Sequence, residues 1–129
     1  MILIVEDDVD LAETCSMALE SSGYEVQVAH SAEEALTKIQ DRKPDMLVSD
    51  CAMAGQSGLE LSQQLRTQYS SGTLPILLMS GSPRRQVAPG DSYESFLSKP
   101  FLVESLLLEV KKLLNEYATT PIKPMQGNE

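Results

Sequence analysis

Short apolar runs alternate along the chain with longer segments of helical period. The runs are Ile2–Val5, Glu25–Ala29, Met46–Ser49, Ile76–Met79 and Ser95–Leu97. Three of them are rich in Val, Ile or Leu without a polar alternate, the pattern of strands covered on both faces of a parallel sheet. After the first run, Leu11, Ala12, Cys15, Ala18 and Leu19 recur at helical spacing, and Gly23 supplies a stop. After the second, Ser31 and Glu34 make an S-x-x-E capping box; Ala32, Ala35, Leu36 and Ile39 then share one face, and Pro44 marks the end. A third helix is expected to start near Gly58 and to bury Leu61 and Leu65. The clearest stripe is the last: Val103, Leu106, Leu107, Val110, Leu113, Leu114 and Tyr117. Residues 82–92 hold Pro83, Pro89 and Gly90 and no apolar period, so the fourth helical slot allows one or two turns at most. The pattern predicts a domain over residues 1–117 and a disordered tail or linker over 118–129.

Alternating strands and helices imply an α/β domain with a parallel sheet and helices on both faces. Ligands of such sheets bind beyond the carboxyl ends of the strands. There the chain carries Glu6, Asp7 and Asp8 after the first strand, Asp50 after the third, Ser80-Gly81 after the fourth and Lys99-Pro100 after the fifth. Clustered carboxylates repel, and without a cation at least one would hold its proton more tightly. Mg2+, which takes one or two carboxylates, carbonyls and waters, removes that cost. An amine on the far side and a hydroxyl complete a site shaped for a phosphoryl group.

Composition narrows the classes further. The chain has 129 residues, 42% of them hydrophobic, enough for one core that needs neither disulfides nor a structural metal. Ten Lys and Arg against nineteen Asp and Glu give a net charge of −9. That balance argues against a nucleic-acid backbone binder and favours cations or basic partners. No apolar run approaches the ~20 residues of a membrane helix, and the first residues lack the basic flank of a signal peptide. Cys15 and Cys51 form no CxxC pair, so a reducing, cytoplasmic setting is expected.

Four runs then become specific together: Ile-Leu-Ile-Val-Glu-Asp-Asp, Leu-Val-Ser-Asp, Leu-Leu-Met-Ser-Gly and Phe-Leu-Ser-Lys-Pro-Phe. In order and spacing, over about residues 2–117, the chain resembles the receiver domain of two-component response regulators. The resemblance implies a flavodoxin-like (βα)5 doubly wound sheet of five parallel strands, order 2-1-3-4-5, with a short or irregular fourth helix. It implies that Asp50 is the phosphoacceptor, attacking the phosphorus of a phosphohistidine. Asp7 matches the acid that ligates Mg2+ (or Mn2+), Glu6 its neighbour acting through a metal-bound water, and the Ala52 backbone carbonyl a further ligand. Lys99 matches the lysine that pairs with the carboxylate and then the phosphoryl oxygens. Ser80 matches the switch hydroxyl and Phe96 the switch aromatic, and the Lys99-Pro100 peptide is expected to be cis. The implied partner is a sensor histidine kinase or histidine phosphotransfer protein, with the downstream effector unspecified. No direct nucleic-acid contact, no membrane insertion, and a monomer or weak homodimer are expected. The expected function is a phosphoacceptor signalling switch, not an enzyme with a diffusible substrate.

Two departures stand beside the match. Met53-Ala54-Gly55-Gln56-Ser57-Gly58 occupies the place where the family often reads Met-Pro-x-Met-Asp-Gly; Gly55 can replace the turn chemistry of proline. The segment from Ser80 to Lys99 is a few residues short, as in receivers fused to hybrid sensor histidine kinases, so the chain is expected to be a stand-alone receiver or a piece of a larger protein.

Plainer readings exist for single residues. A lone Asp after a strand most often caps a helix, the role expected of Asp8. Cys15 is expected in the core, Cys51 packed behind its strand, His30 in a turn, and Arg84-Arg85 in solvent. Lys99, Ser80 and Phe96 taken singly read as a surface lysine, a turn cap and a core residue. Three rival classes fit less well. A phosphatase of the haloacid dehalogenase type wants a second Asp where Ala52 stands. A flavodoxin-like cofactor binder wants a phosphate-cradling first loop, which Glu6-Asp7-Asp8 would repel. A receiver acting only as an unphosphorylated docking module would not need Asp7, Asp50, Ser80 and Lys99 together.

Overall fold

The computed structural model describes residues 1–53, 55–81 and 92–117. In chain order the elements are β1 (Ile2–Val5), α1 (Val9–Ser21), β2 (Val26–Ala29), α2 (Ala32–Asp41), β3 (Met46–Asp50), α3 (Gly58–Leu65), β4 (Ile76–Ser80), β5 (Ser95–Ser98) and α4 (Val103–Tyr117). The fourth helical slot of the sequence pattern falls mostly on residues 82–91, outside the described residues, as does the expected tail. The five strands form one sheet in the order β2-β1-β3-β4-β5, every pair parallel.

Successive strand residues point to opposite faces, and both faces are covered. On one, Leu3, Val5, Leu47, Ile76 and Leu78 pack with Ala35 and Ile39 of α2 and with Leu61 and Leu65 of α3. On the other, Ile2, Ile4, Val48, Leu77 and Met79 pack with Cys15 and Leu19 of α1 and with Leu106, Val110 and Leu113 of α4. The three central strands are buried along their whole length. That explains their unbroken apolar character, whereas the edge strands β2 and β5 are only partly covered.

Local signals hold with three refinements. Asp8 caps α1, its carboxylate accepting the Leu11 N–H at 3.2 Å, and Gly23 takes a positive φ of 97° after that helix. At α2, Ser31 Oγ accepts the Glu34 N–H at 3.1 Å, but the Glu34 carboxylate reaches past the cap to the His30 N–H at 2.8 Å. The expected box therefore closes one residue early. The fully reciprocal box lies at α3, between Ser57 and Glu60. In α4 the buried stripe is Leu106, Val110 and Leu113, while Val103 in the first turn is 37% exposed. Strand β2 begins at Val26 rather than Glu25, whose carboxylate turns outward to Arg42 at 2.6 Å.

A buried polar cluster sits at the opposite end of the sheet from the strand carboxyl ends. The Glu94 carboxylate accepts from Arg66 at 2.9 Å, from Ser71 Oγ at 2.6 Å and from the Ile76 N–H at 2.7 Å. Arg66 also donates to the carbonyls of Tyr69, Leu74 and Ser92, and Ser62 and Ser92 join hydroxyls at 2.7 Å. The cluster clamps the end of α3 to the starts of β4 and β5.

Candidate functional site

Parallel strands in register bring their carboxyl ends to one edge. Glu6 follows β1 directly, its N–H donating to the Ala29 carbonyl at 3.0 Å. Asp50 ends β3 and Ser80 ends β4. Lys99 follows β5, its N–H donating to the Ser80 carbonyl at 2.7 Å, and the Lys99-Pro100 peptide is cis, as expected.

Carboxylate oxygens of Glu6, Asp7 and Asp50 lie within 4.8 Å of one another. Lys99 Nζ bridges two of these residues, 2.9 Å from Glu6 Oε1 and 3.2 Å from Asp50 Oδ1. Glu6 and Asp50 are buried, whereas Asp7 is exposed. The second Glu6 oxygen accepts the Asp8 N–H at 3.1 Å. Burial pushes the Glu6 carboxyl above its ordinary range, and the Asp50 charge adds to that, against the opposing pull of Lys99 and of the Asp8 N–H. Burial pulls Lys99 down, but its hydrogen bond to Glu6 and the charges of Asp50 and Glu6 outweigh that, so it stays a firmly held ammonium. Three carboxylates against one ammonium leave the pocket negative. Its donors are hard oxygens at close range, a set that fits a small divalent cation.

The loop after β3 is held tightly to α3. Ser49 Oγ donates to the Asp50 carbonyl at 3.0 Å, and the Gly58 N–H donates to the Cys51 carbonyl at 2.9 Å. A Cβ on Gly58 would stand 1.8 Å from the Asp50 carbonyl oxygen. Glycine here is thus a condition for α3 to lie against the Asp50 backbone, beyond its expected place as a helix start. Gly55, with φ of 80°, supplies the turn, and Ala52 is exposed two residues past Asp50.

The remaining candidates are placed as follows. Ser80 is buried at the site edge, and Phe96 on β5 is half-buried, its ring 6.3 Å from that of Tyr93. Cys15 is in the core, its thiol pushed up to about 11 by burial and the Glu6 charge. Cys51 is half-buried against the core, and burial and the Asp50 charge raise it too, so neither cysteine is a ready thiolate. His30 does more than turn the chain: Nδ1 donates to the Glu6 carbonyl at 3.0 Å. Arg84 and Arg85 lie outside the described residues.

The profile described as the response regulator receiver domain matches residues 2–111. The chain belongs to that family. This receiver is 39% identical over 116 residues to the response regulator MprA of Mycobacterium avium, an alignment covering 88% of this chain and 50% of the relative. The MprA protein of Mycobacterium tuberculosis matches at the same identity and coverage. The receiver thus spans about half the length of the curated relatives it matches. Among solved structures it is similar to the chemotaxis response regulator CheY4 of Vibrio cholerae, with TM-score 0.79 and 30% identity over 88% of this chain and 97% of that one. It is also similar to TrrA of Thermotoga maritima, with TM-score 0.78 and 32% identity over 88% and 97% of the two chains. The observed strand order is that expected of this flavodoxin-like family. Among the described residues, no helix is long and apolar enough to cross a membrane.

Proposed function

We propose that this receiver is a phosphoacceptor switch in a two-component phosphorelay, taking a phosphoryl group from a phosphohistidine onto Asp50. The observation that carries this reading is the Lys99 ammonium bridging Glu6 and Asp50, with Asp7 within 4.8 Å of both carboxylates. The donor is a sensor histidine kinase or a histidine phosphotransfer protein. A carboxylate oxygen of Asp50 forms the new P–O bond as the P–N bond to the donor imidazole breaks, and the imidazole leaves with the electron pair and takes a proton. Transfer of this kind needs positioning and charge neutralisation more than covalent help from the protein. Lys99 supplies the fixed positive charge, moving from a carboxylate oxygen to a phosphoryl oxygen. Mg2+ or Mn2+ would be held by Glu6, Asp7, Asp50 and the Ala52 carbonyl, and when bound would neutralise the charge gathering on the phosphoryl oxygens. TrrA, with its 32% identity, has been solved in complex with Mg(2+)-BeF, which supports the assignment.

Ser80 and Phe96 form the switch. Ser80 ends the strand next to that of Asp50, so its hydroxyl can turn to a new phosphoryl oxygen. Phe96 pairs with Leu78 one strand further out and packs beside Tyr93, so it can follow into vacated space. The test is intact-mass analysis after incubation with acetyl phosphate and Mg2+. One phosphoryl group is expected on the parent, none on Asp50→Asn, and slower addition on Lys99→Ala. An equal adduct on Asp50→Asn would overturn the assignment.

A further inference from the structure

The carbonyl of Glu6 is bound by a side chain from a neighbouring strand end, and the consequence falls on Asp7. The other three polar groups of Glu6 are held within the sheet edge and the acidic pocket: its N–H by Ala29, and its two carboxylate oxygens by Lys99 and the Asp8 N–H. The carbonyl is taken by His30 Nδ1 at 3.0 Å. A carbonyl only accepts, so Nδ1 carries the proton. The bond stands where the β1–β2 ladder ends, because β2 stops at Ala29 and the chain turns into α2. The imidazole thus carries the ladder one step further than the backbone can.

His30 is itself anchored. Its backbone N–H donates to Glu34 Oε1 at 2.8 Å, the displaced arm of the α2 cap. The other Glu34 oxygen lies 3.9 Å from Lys38. The first turn of α2 therefore holds His30, and His30 holds the Glu6 carbonyl. The peptide unit is planar, so the Glu6 carbonyl and the Asp7 N–H and Cα move as one body. Asp7 directly follows the buried Glu6, so the orientation of this peptide plane sets where its Cα stands and the direction in which its carboxylate leaves the backbone.

We propose that His30 is a positioning residue for the acidic loop, fixing the Glu6–Asp7 peptide and thereby the place of the Asp7 carboxylate toward a divalent cation. The inference rests on the metal reading above. Asparagine offers a matched variant, since its Nδ2, like His Nδ1, is bonded to Cγ and can donate from nearly the same place. The experiment measures Mg2+ affinity of the full chain by calorimetry for the parent, His30→Ala and His30→Asn, with urea unfolding of each as a check on the fold. Amide exchange of Asp7 and Asp8 in metal-free protein is a second readout. His30→Ala should weaken Mg2+ about three- to tenfold, the worth of one hydrogen bond, and speed exchange at both amides. His30→Asn should restore affinity to within about twofold of the parent. Unchanged affinity in His30→Ala, with the parent binding, would overturn the positioning role and leave the metal reading standing. Equal weakening in both variants would remove the hydrogen bond as the cause. A parent that binds no Mg2+ would overturn the metal reading and this inference with it.

Discussion

Gly58→Ala is the sharpest perturbation the structure offers, because one methyl group meets the backbone of Asp50. The added Cβ would stand 1.8 Å from the Asp50 carbonyl oxygen, 2.8 Å from its carbon and 2.9 Å from Ser49 Oγ. The first two obstacles are backbone and cannot swing aside, so α3 and the end of β3 must separate by roughly 1 Å in a close-packed interior. Alanine is the better helix former by up to about 1 kcal/mol, though less at a first helical position. Overpacking costs about 1–3 kcal/mol, and a backbone obstacle puts this case at the upper end. The clash wins, leaving a net loss of about 2 kcal/mol, or a fall in melting temperature of about 6–10 °C for a domain of this size. If Asp50 is the nucleophile proposed above, displacing it by this much should also slow phosphorylation on the order of 100-fold. Gly72→Ala is the control, since the nearest atom to its Cβ would be Ser70 Oγ at 3.8 Å. It should stay within about 0.5 kcal/mol of the parent. Thermal melts and acetyl phosphate uptake read both effects. Equal melting temperatures for the two variants, with uptake intact, would mean that the Gly58 contact constrains neither the fold nor Asp50.

Lys99→Met leaves the buried Glu6 carboxylate without its cation and should cost about 2 kcal/mol at neutral pH. The folded pKa of Glu6 lies above its ordinary 4.5, so its contribution is full below that value and is lost as pH rises. Removing Lys99 deepens this, so urea unfolding should show a larger loss near pH 8 than near pH 5, and equal losses would contradict it. Glu94→Ala breaks the buried cluster and should cost about 3–5 kcal/mol, whereas Arg42→Ala, at the exposed pair with Glu25, should leave the melting temperature nearly unchanged; similar melting temperatures for the two variants would disprove the distinction. Beryllofluoride with Mg2+ should alter amide exchange among Ser80, Phe96 and the first turns of α4. Changes confined to the loop after Asp50 would rule out the switch role proposed for Ser80 and Phe96.

Much of this was legible in the chain because burial on both faces writes itself into composition. Ile2–Val5 and Ile76–Met79 read as central strands since nothing polar can stand there. Asp7, Asp50 and Lys99 were legible because a parallel sheet gathers strand ends at one edge, so three separate motifs needed only the topology to meet. The caps show the limit. Ser31 and Glu34 had the right spacing, but the Glu34 side chain is long enough to choose between two N–H groups and took that of His30. Ser57 and Glu60 carry the same S-x-x-E spacing, and there the box closes on the cap itself. Gly58 is a different kind of limit. Its necessity comes from the approach of α3 to Asp50, a distance that only packing sets. The same holds for Arg66 with Glu94 and for His30 with Glu6, pairs 28 and 24 residues apart that no periodicity connects.

Chemical trapping shows most directly whether Asp50 carries the phosphoryl group. An acyl phosphate is reduced by borohydride to the alcohol, so a phosphorylated Asp50 becomes homoserine and is located by peptide mass. After acetyl phosphate and Mg2+, homoserine is expected at Asp50 and at neither Asp7 nor Asp8, and at none of them when Mg2+ is withheld by chelation. Homoserine at another acid, or equal yield with the metal chelated, would contradict the assignment.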